Sequence, residues 1–227
     1  MAPRSKVPTI AQAVDRIREH GVLLVFPIHN REEPRSLWLE FFPGTTMVWD
    51  WNDDGDRRVA QMWRLMKLMS DTSEVVYSKW YQGRATFFSR ELFASILRVR
   101  RGAFDPRRGL SNTAKTLLEV LENNSPLSTK QLKRATELGG RLNETVYSRA
   151  MKELFSRFLI VGFGEVEDGA FPSAAVGATE LLFSDLWSQA EEMPAARAAA
   201  IVKRFMPSDS HFGRYFARAM SLVGLQS

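Results

Sequence analysis

Three short helical periodicities in succession, followed by one unbroken apolar run, fill residues 111–169 and constrain the chain more than any other stretch. Ser111 is a good N-cap, and Ala114, Leu117, Leu118 and Leu121 fall on one face before Asn123 and Asn124. A hydroxyl there accepts from an otherwise orphaned backbone N–H, and the helical spacing marks a stripe that has to be buried. Ser128 with Gln131 three residues on predicts a capping box, in which each side chain accepts from the other residue's backbone N–H. Leu132, Ala135 and Leu138 form that helix's inward face, and Gly139-Gly140 its stop. The third helix is expected over about 144–157, with Val146, Ala150, Leu154 and Phe158 at spacings of four, flanked by Tyr147, Met151 and Phe155.

The other face of the third helix carries Thr145, Ser148, Arg149, Lys152 and Ser156, short hydroxyls and cations that suit phosphates and base edges. Phe158-Leu159-Ile160-Val161-Gly162-Phe163 reads as a buried strand, Glu167-Asp168-Gly169 as a turn, and Ala174 to Val176 as a weak return strand. Helix, helix, helix, hairpin is the order of a winged helix, whose third helix can enter the DNA major groove. Thr145, Ser148, Arg149 and Lys152 are therefore candidate DNA contacts. The same order also serves winged helices that only pack or bind protein.

Charge adds a second group of candidates. The formal net charge is +5, and residues 1–83 balance eleven Lys/Arg with eleven Asp/Glu, as residues 109–227 balance thirteen with thirteen. Residues 84–108 hold seven arginines against Glu91 and Asp105, so seven minus two is the whole surplus. A run made only of arginine, broken by Gly102, Pro106 and Gly109, is expected to face an anion, since guanidinium binds phosphate through paired donors. Arg84, Arg98, Arg100, Arg101, Arg107 and Arg108 join the DNA-binding set, although solvated charge runs look alike. Double-stranded DNA is the expected partner.

Other chemistry is largely excluded. With no cysteine there is no disulfide, thiolate zinc site or cysteine nucleophile, and His20, His29 and His211 lack zinc spacing, so neither metal nor cofactor is expected. Asp50-Trp51-Asn52-Asp53-Asp54-Gly55 matches half of a calcium loop, but position twelve is Gln61 and Arg57 and Arg58 fall inside it. It reads better as the turn before a helix over 57–69, whose Val59, Met62, Trp63, Met66 and Met69 form an apolar face. The longest apolar run, residues 22–26, is too short for a signal core or a span; the expectation is a soluble, cytoplasmic protein with no membrane partner.

Elsewhere Thr9 caps a first helix with Ala11, Val14 and Ile17 on one face, and Gly21 closes it. Residues 22–28 form a buried strand or extended segment, which Pro27 places at a sheet edge. A short helix over 36–42 turns Leu37, Trp38 and Phe41 inward. Tyr77, Trp80, Tyr81, Phe87, Phe88 and Phe93, interleaved with Lys79, Arg84 and Arg90, are expected to be buried, with base stacking as the second reading. Ser89 caps a helix through Arg98. Later helices start at Thr179 or Glu180, Pro194 and Ser210; their apolar content leaves a homodimer open. The fold class is mainly α with small β-wings (α+β), a tandem winged-helix or helix-turn-helix architecture. It divides into an N-terminal winged-helix-like domain with basic linker (1–108), a central winged helix (109–178) and a C-terminal helical segment resembling a truncated third unit (179–227).

Leu24-Val25-Phe26-Pro27-Ile28, the stretch from Tyr77-Ser78-Lys79-Trp80-Tyr81 to Phe93, the central helices, and Ala195-Ala196-Arg197 to Gly224 together resemble, in order and spacing, the AlkZ-like winged-helix DNA glycosylase superfamily. The likeness is closest to its smaller AlkZ-related members. It implies tandem winged helices around a DNA channel and excision of alkylated or crosslinked purines, whose cationic ring already weakens the glycosidic bond. The family places Gln-x-Gln or Gln-x-Asp just before the Pro-Ile step; here those positions are Leu24 and Phe26, which offer no group to place water or stabilise a sugar cation. His29 and Asn30, with Glu32 and Glu33, are the nearest substitutes. Three readings follow: a DNA-binding relative without the catalytic pair, an active glycosylase for bulky N7-alkyl purines, and a protein-interaction module.

Overall fold

A computed structural model describes residues 8–49, 56–103, 105–168 and 172–224. The half calcium motif at Asp50 to Gly55 and the Gly169 turn position lie outside them. The first part of the chain runs α1 (Ile10–His20), β1 (Val22–Leu24), α2 (Leu37–Phe41), α3 (Arg57–Ser70), β2 (Val75–Ser78), β3 (Thr86–Ser89) and α4 (Arg90–Ala103). The central part runs α5 (Asn112–Asn123), β4 (Leu127–Ser128), α6 (Thr129–Ala135), a 3₁₀ turn (Arg141–Asn143), α7 (Glu144–Ser156), β5 (Ile160–Glu167) and β6 (Pro172–Ala178). Four helices close the chain: α8 (Thr179–Leu182), α9 (Ser184–Glu192), α10 (Ala195–Phe205) and α11 (His211–Gly224).

Local signals set most of these boundaries. Thr9 and Ser128 each close a full capping box, with Gln12 and Gln131, and the Ser111 hydroxyl accepts from the Ala114 N–H at 3.3 Å. Gly21 ends α1 at φ +74°, a region open to glycine. Three expectations need correction. α6 stops at Ala135, before the glycines, because the Thr136 hydroxyl donates back to the Leu132 carbonyl at 2.8 Å and Glu137 itself takes φ +55°. Ala135 is then exposed, and so is Val146, at 46%, in the first turn of α7. The helix expected from residue 179 to about 192 breaks at buried Phe183 (φ −132°) into α8 and α9.

The protein is α+β, and strands expected as small separate wings join one six-stranded antiparallel sheet in the order β1-β3-β2-β5-β6-β4. Alternation along β1 to β3 feeds two cores. Val22, Leu24, Val76 and Phe88 face α4 and α9 to α11, while Leu23, Val25, Val75 and Phe87 face α1 to α3. A strand buried on both faces has to be apolar at every position, which accounts for the unbroken run at residues 22–25. As Pro27 implied, β1 is an edge strand. The apolar faces of α9 to α11 pack into the first of these cores through residues such as Ala190, Ile201, Val202, Phe212 and Phe216. The feature that left a homodimer open is thus covered within the chain. A third core joins α5, α6 and α7 to Leu159, Ile160 and Ala178.

One residue pair, Tyr77 with Gly162, joins the two halves of the sheet. The Tyr77 ring lies across Gly162 so closely that an added Cβ would stand 2.2 Å from it, so only glycine fits. Beside this seam Lys67 of α3 pairs with Glu165 of β5 at 2.6 Å. No described helix is long and apolar enough to cross a membrane.

Two predictions follow from the seam. Gly162→Ala overpacks it and should lower stability by about 1–3 kcal/mol, a Tm fall of roughly 2–12 °C by differential scanning calorimetry. Burial raises the Tyr77 phenol from 10.0 to about 12. The neutral phenol therefore stabilises the fold below pH 10, and that contribution is lost as pH rises to about 12. Urea denaturation should show Tyr77→Phe losing less stability than wild type across that window.

Candidate nucleic-acid interface

The arginines of residues 84–108 do not form one solvent-facing strip. Four lie on α4, which packs along α9 and α10, and most of their guanidinium groups point there. Arg90 pairs with Asp185 and donates to the Ser73 carbonyl. Arg98 donates to the Met193 carbonyl at 2.8 Å, and Arg101 to the Trp187 carbonyl (3.3 Å) and Glu191 (2.9 Å) while lying 3.8 Å over the Trp187 ring. A cation at the carbonyl end of a helix satisfies its last acceptors and its dipole, so Arg98 caps α9, while Arg101 is held along its side. Arg107 bridges Glu122 and Glu180, each at 2.7 Å.

Arg100 is 1% exposed, which removes its guanidinium from reach of a phosphate in solvent. It lies 3.7 Å from the Met220 sulfur and 5.7 Å over the Phe158 ring. Burial, and then the neighbouring Arg157, hold it down to about 10, so it stays charged at neutral pH. Of the seven, Arg84 and Arg108 are exposed and form no ion pair among the described residues. The aromatics interleaved with this run are equally internal: Trp80, Tyr81, Phe87, Phe88 and Phe93 are all under 5% exposed, which leaves them unable to stack on bases.

The third central helix does present its polar side. Thr145, Arg149 and Lys152 are exposed and Ser148 is half-buried, and among the described residues neither Arg149 nor Lys152 has an ion-pair partner. Between α7 and α11 lies a groove of about 540 Å³ into which Arg149, Lys152 and Arg218 converge, with Ser111 and Ser156 beside them. Val146, misassigned to the core, sits among the exposed residues of α7, and an apolar group there suits a thymine methyl.

Arg157 lines the inner side of this groove and is 3% exposed. One guanidinium nitrogen donates to the carbonyls of Pro106 (3.2 Å) and Arg108 (2.6 Å), the other to the Gly109 carbonyl (3.3 Å) and Glu153 (3.1 Å). Burial pulls its pKa down, against which Glu153 and then Asp105 act. It ties the 106–109 connection to the end of α7, so the chain entering α5 is set by the helix whose face is presented. Neither Arg157 nor Arg218 is among the DNA contacts that the sequence suggests. No local spacing singles out a helix-terminal arginine, and α11 meets α7 only through the tertiary fold.

The positions before the Pro-Ile step lie elsewhere. Leu24 is fully buried in β1, and half-buried Phe26 packs its ring against Trp49 and Trp63, at centroid distances of 5.0 and 5.8 Å. Asn30 donates to the Met47 carbonyl at 3.1 Å and accepts from the Met47 N–H at 2.8 Å, a structural clasp that uses both ends of its amide. His29 is exposed, at φ +52°. No cluster of three metal-ligating side chains occurs among the described residues.

Residues 7–209 match a protein family described as AlkZ related. No curated protein and no solved structure matches the chain.

The role of Arg157 is directly testable. Arg157→Ala removes the guanidinium donor from three carbonyls and leaves Glu153 with Ser111 but no cation, and loss of one side of a buried charged network costs about 3–5 kcal/mol. Thermal denaturation should show Tm lower by roughly 6–20 °C. Arg157→Lys should recover little, since one ammonium cannot span a forked set of acceptors.

Proposed function

The chain belongs to the AlkZ-related family, and on that premise we propose that it binds duplex DNA through the outward face of α7. The order α5, β4, α6, α7, β5, β6, with β5 and β6 as a hairpin and β4 on its outer edge, supports a winged-helix reading of residues 109–178. In that reading α7 is the helix offered to the major groove. Thr145, Ser148, Arg149 and Lys152 then supply phosphate and base-edge contacts.

The observation that carries the proposal is the convergence of Arg149, Lys152 and Arg218 on one groove. Cations that could pair with nearby carboxylates do so at Arg101, Arg107 and Lys133, whereas Arg149, Lys152 and Arg218 face solvent unpaired among the described residues. Unneutralised charge held on rigid helices favours an external polyanion. Arg108 belongs to the proposed footprint as an exposed cation at the start of the same connection; Arg98, Arg100, Arg101 and Arg107 act by holding the scaffold.

The family resemblance sets the protein beside glycosylases that repair alkylated or crosslinked DNA. Leu24 inside the core and Phe26 among aromatic rings support a role in binding without excision by the family's polar pair. Asn30 gains no support as a replacement, because its amide is engaged with Met47.

Fluorescence anisotropy with a labelled blunt duplex tests the proposal. Neutralising Arg149, Lys152 and Arg218 together should weaken binding and reduce the slope of log affinity against log salt by about 2–3, roughly 0.9 per phosphate contact. A folded triple variant with unchanged affinity and slope would sink the proposed footprint. Wild-type protein that binds alkylated duplex and releases purine, leaving abasic sites, would overturn the non-excising role.

A further inference from the structure

Three of the large apolar side chains left open to solvent gather in one place. Val48 is 54% exposed, Trp49 47% and Trp63 39%, an arrangement a folded protein avoids unless the surface has a use. Phe26, Trp49 and Trp63 form a cluster of mutually tilted rings, with Trp49 and Trp63 centroids 6.4 Å apart at 71°. These rings, with Tyr77, wall a recess of about 480 Å³ between α3 and the β5-β6 hairpin. Lys79 and Arg84 also line it, and neither has an ion-pair partner among the described residues.

The recess does not end in plain surface. Thr129 and Ala174 line it and also line a neighbouring trough of about 900 Å³ between α6 and the hairpin, so the two adjoin at these residues. Lys130, Lys133 and Arg134 supply the trough's cations. Lys133 is held by Glu144 at 2.5 Å and lies 4.6 Å over the Tyr147 ring, and Lys130 is 3.9 Å from Asp168. Arg134 is exposed and unpaired among the described residues, with Glu137 as the trough's own acidic residue.

We propose that this recess and trough form one binding site for an unpaired stretch of DNA, a base stacking on Trp49 and Trp63 while the adjoining phosphates run along Lys130 and Arg134. The geometry matches what such a strand presents. A nucleobase has two flat faces and edges that accept T-shaped contact, and its backbone carries one anion per nucleotide. A purely apolar partner would leave Arg84 and Lys79 without counter-charge at the rim, and a purely acidic one would leave the indole rings wet. Double-stranded DNA cannot enter, because its bases are stacked on each other. The site is separate from the α7 groove, shares no lining residue with it, and stands or falls apart from duplex binding.

The experiment compares two probes, a labelled oligothymidylate of about twelve nucleotides and a blunt duplex, by fluorescence anisotropy at low salt. Stacking contributes about 1–3 kcal/mol per base, so Trp49→Ala and Trp63→Ala should each weaken the oligothymidylate roughly 5- to 100-fold and leave the duplex within about twofold. Trp63→Phe keeps a stacking ring and should recover most of the affinity. Lys130→Gln with Arg134→Gln should lower the salt slope for the oligothymidylate by about 1–2. Both tryptophans are partly exposed, and circular dichroism establishes that the variants fold. Folded Trp49→Ala and Trp63→Ala proteins that keep wild-type affinity for the oligothymidylate overturn the proposal, as does wild-type protein that binds none. Oligothymidylate binding that depends on the tryptophans in a protein that ignores duplex would support this site and remove the α7 proposal alone.

Discussion

The contact of the Tyr77 ring with the bare backbone of Gly162 is the constraint on which the rest of the structure depends. It is the one residue pair at which β2 and β5 meet, and it converts two three-stranded pieces into a single sheet. A flat ring over a glycine buries apolar area on both sides of a junction that any larger residue would force apart. Because α3 and the hairpin flank this junction, its closeness also fixes the width of the recess between them. The candidate surfaces follow from the seam. With β5 and β6 anchored to β2, α7 is held with its polar side outward, and the trough beside α6 opens next to the aromatic rings.

Charge in this protein divides by what each helix packs against. The guanidinium groups of Arg90, Arg98 and Arg101 on α4 meet carboxylates and carbonyls along α9 and at its C-cap, and those interactions are intramolecular. Arg157 does similar work for the connection into α5, and lies close enough to buried Arg100 to resist its charge. Besides Arg84 and Arg108, the exposed cations left without an ion pair among the described residues include Arg149 and Lys152 of α7, Arg218 of α11 and Arg134 of α6, elements that do not stand out in a count of charge along the chain. Net charge therefore located the surplus correctly in composition and wrongly in space. The arginine-rich segment is mostly a clamp, with Arg84 and Arg108 as its open cations, and others such as Arg149, Lys152 and Arg218 come from a stretch that is neutral overall.

Local chemistry was the most legible. The capping boxes at Thr9 and Ser128, the Ser89 and Ser111 caps and the turns after each helix are encoded within four residues of where they act. Most helix faces followed too, but Ala11 and Val146, in the first turns of α1 and α7, have the right spacing for the core and are exposed. The aromatic run from Tyr77 to Phe93 was rightly taken as core. Trp63 was placed there with it on periodicity, and the broad apolar face of α3 gives no sign of which edge stays open.

By itself the sequence determined the elements, the continuous strand at residues 22–25, the edge position imposed by Pro27, and a helix, helix, helix, hairpin order in the centre. These are local or period-bound, fixed by backbone hydrogen bonding and by which side chains water rejects. Only the tertiary structure decided that the strands share one sheet, that Arg100 is enclosed while Arg149 is open, and that α11 delivers Arg218 to the side of α7. Each of those depends on which surfaces meet across more than sixty residues of chain, and a guanidinium carries the same charge whether it meets a carbonyl inside the protein or a phosphate outside it.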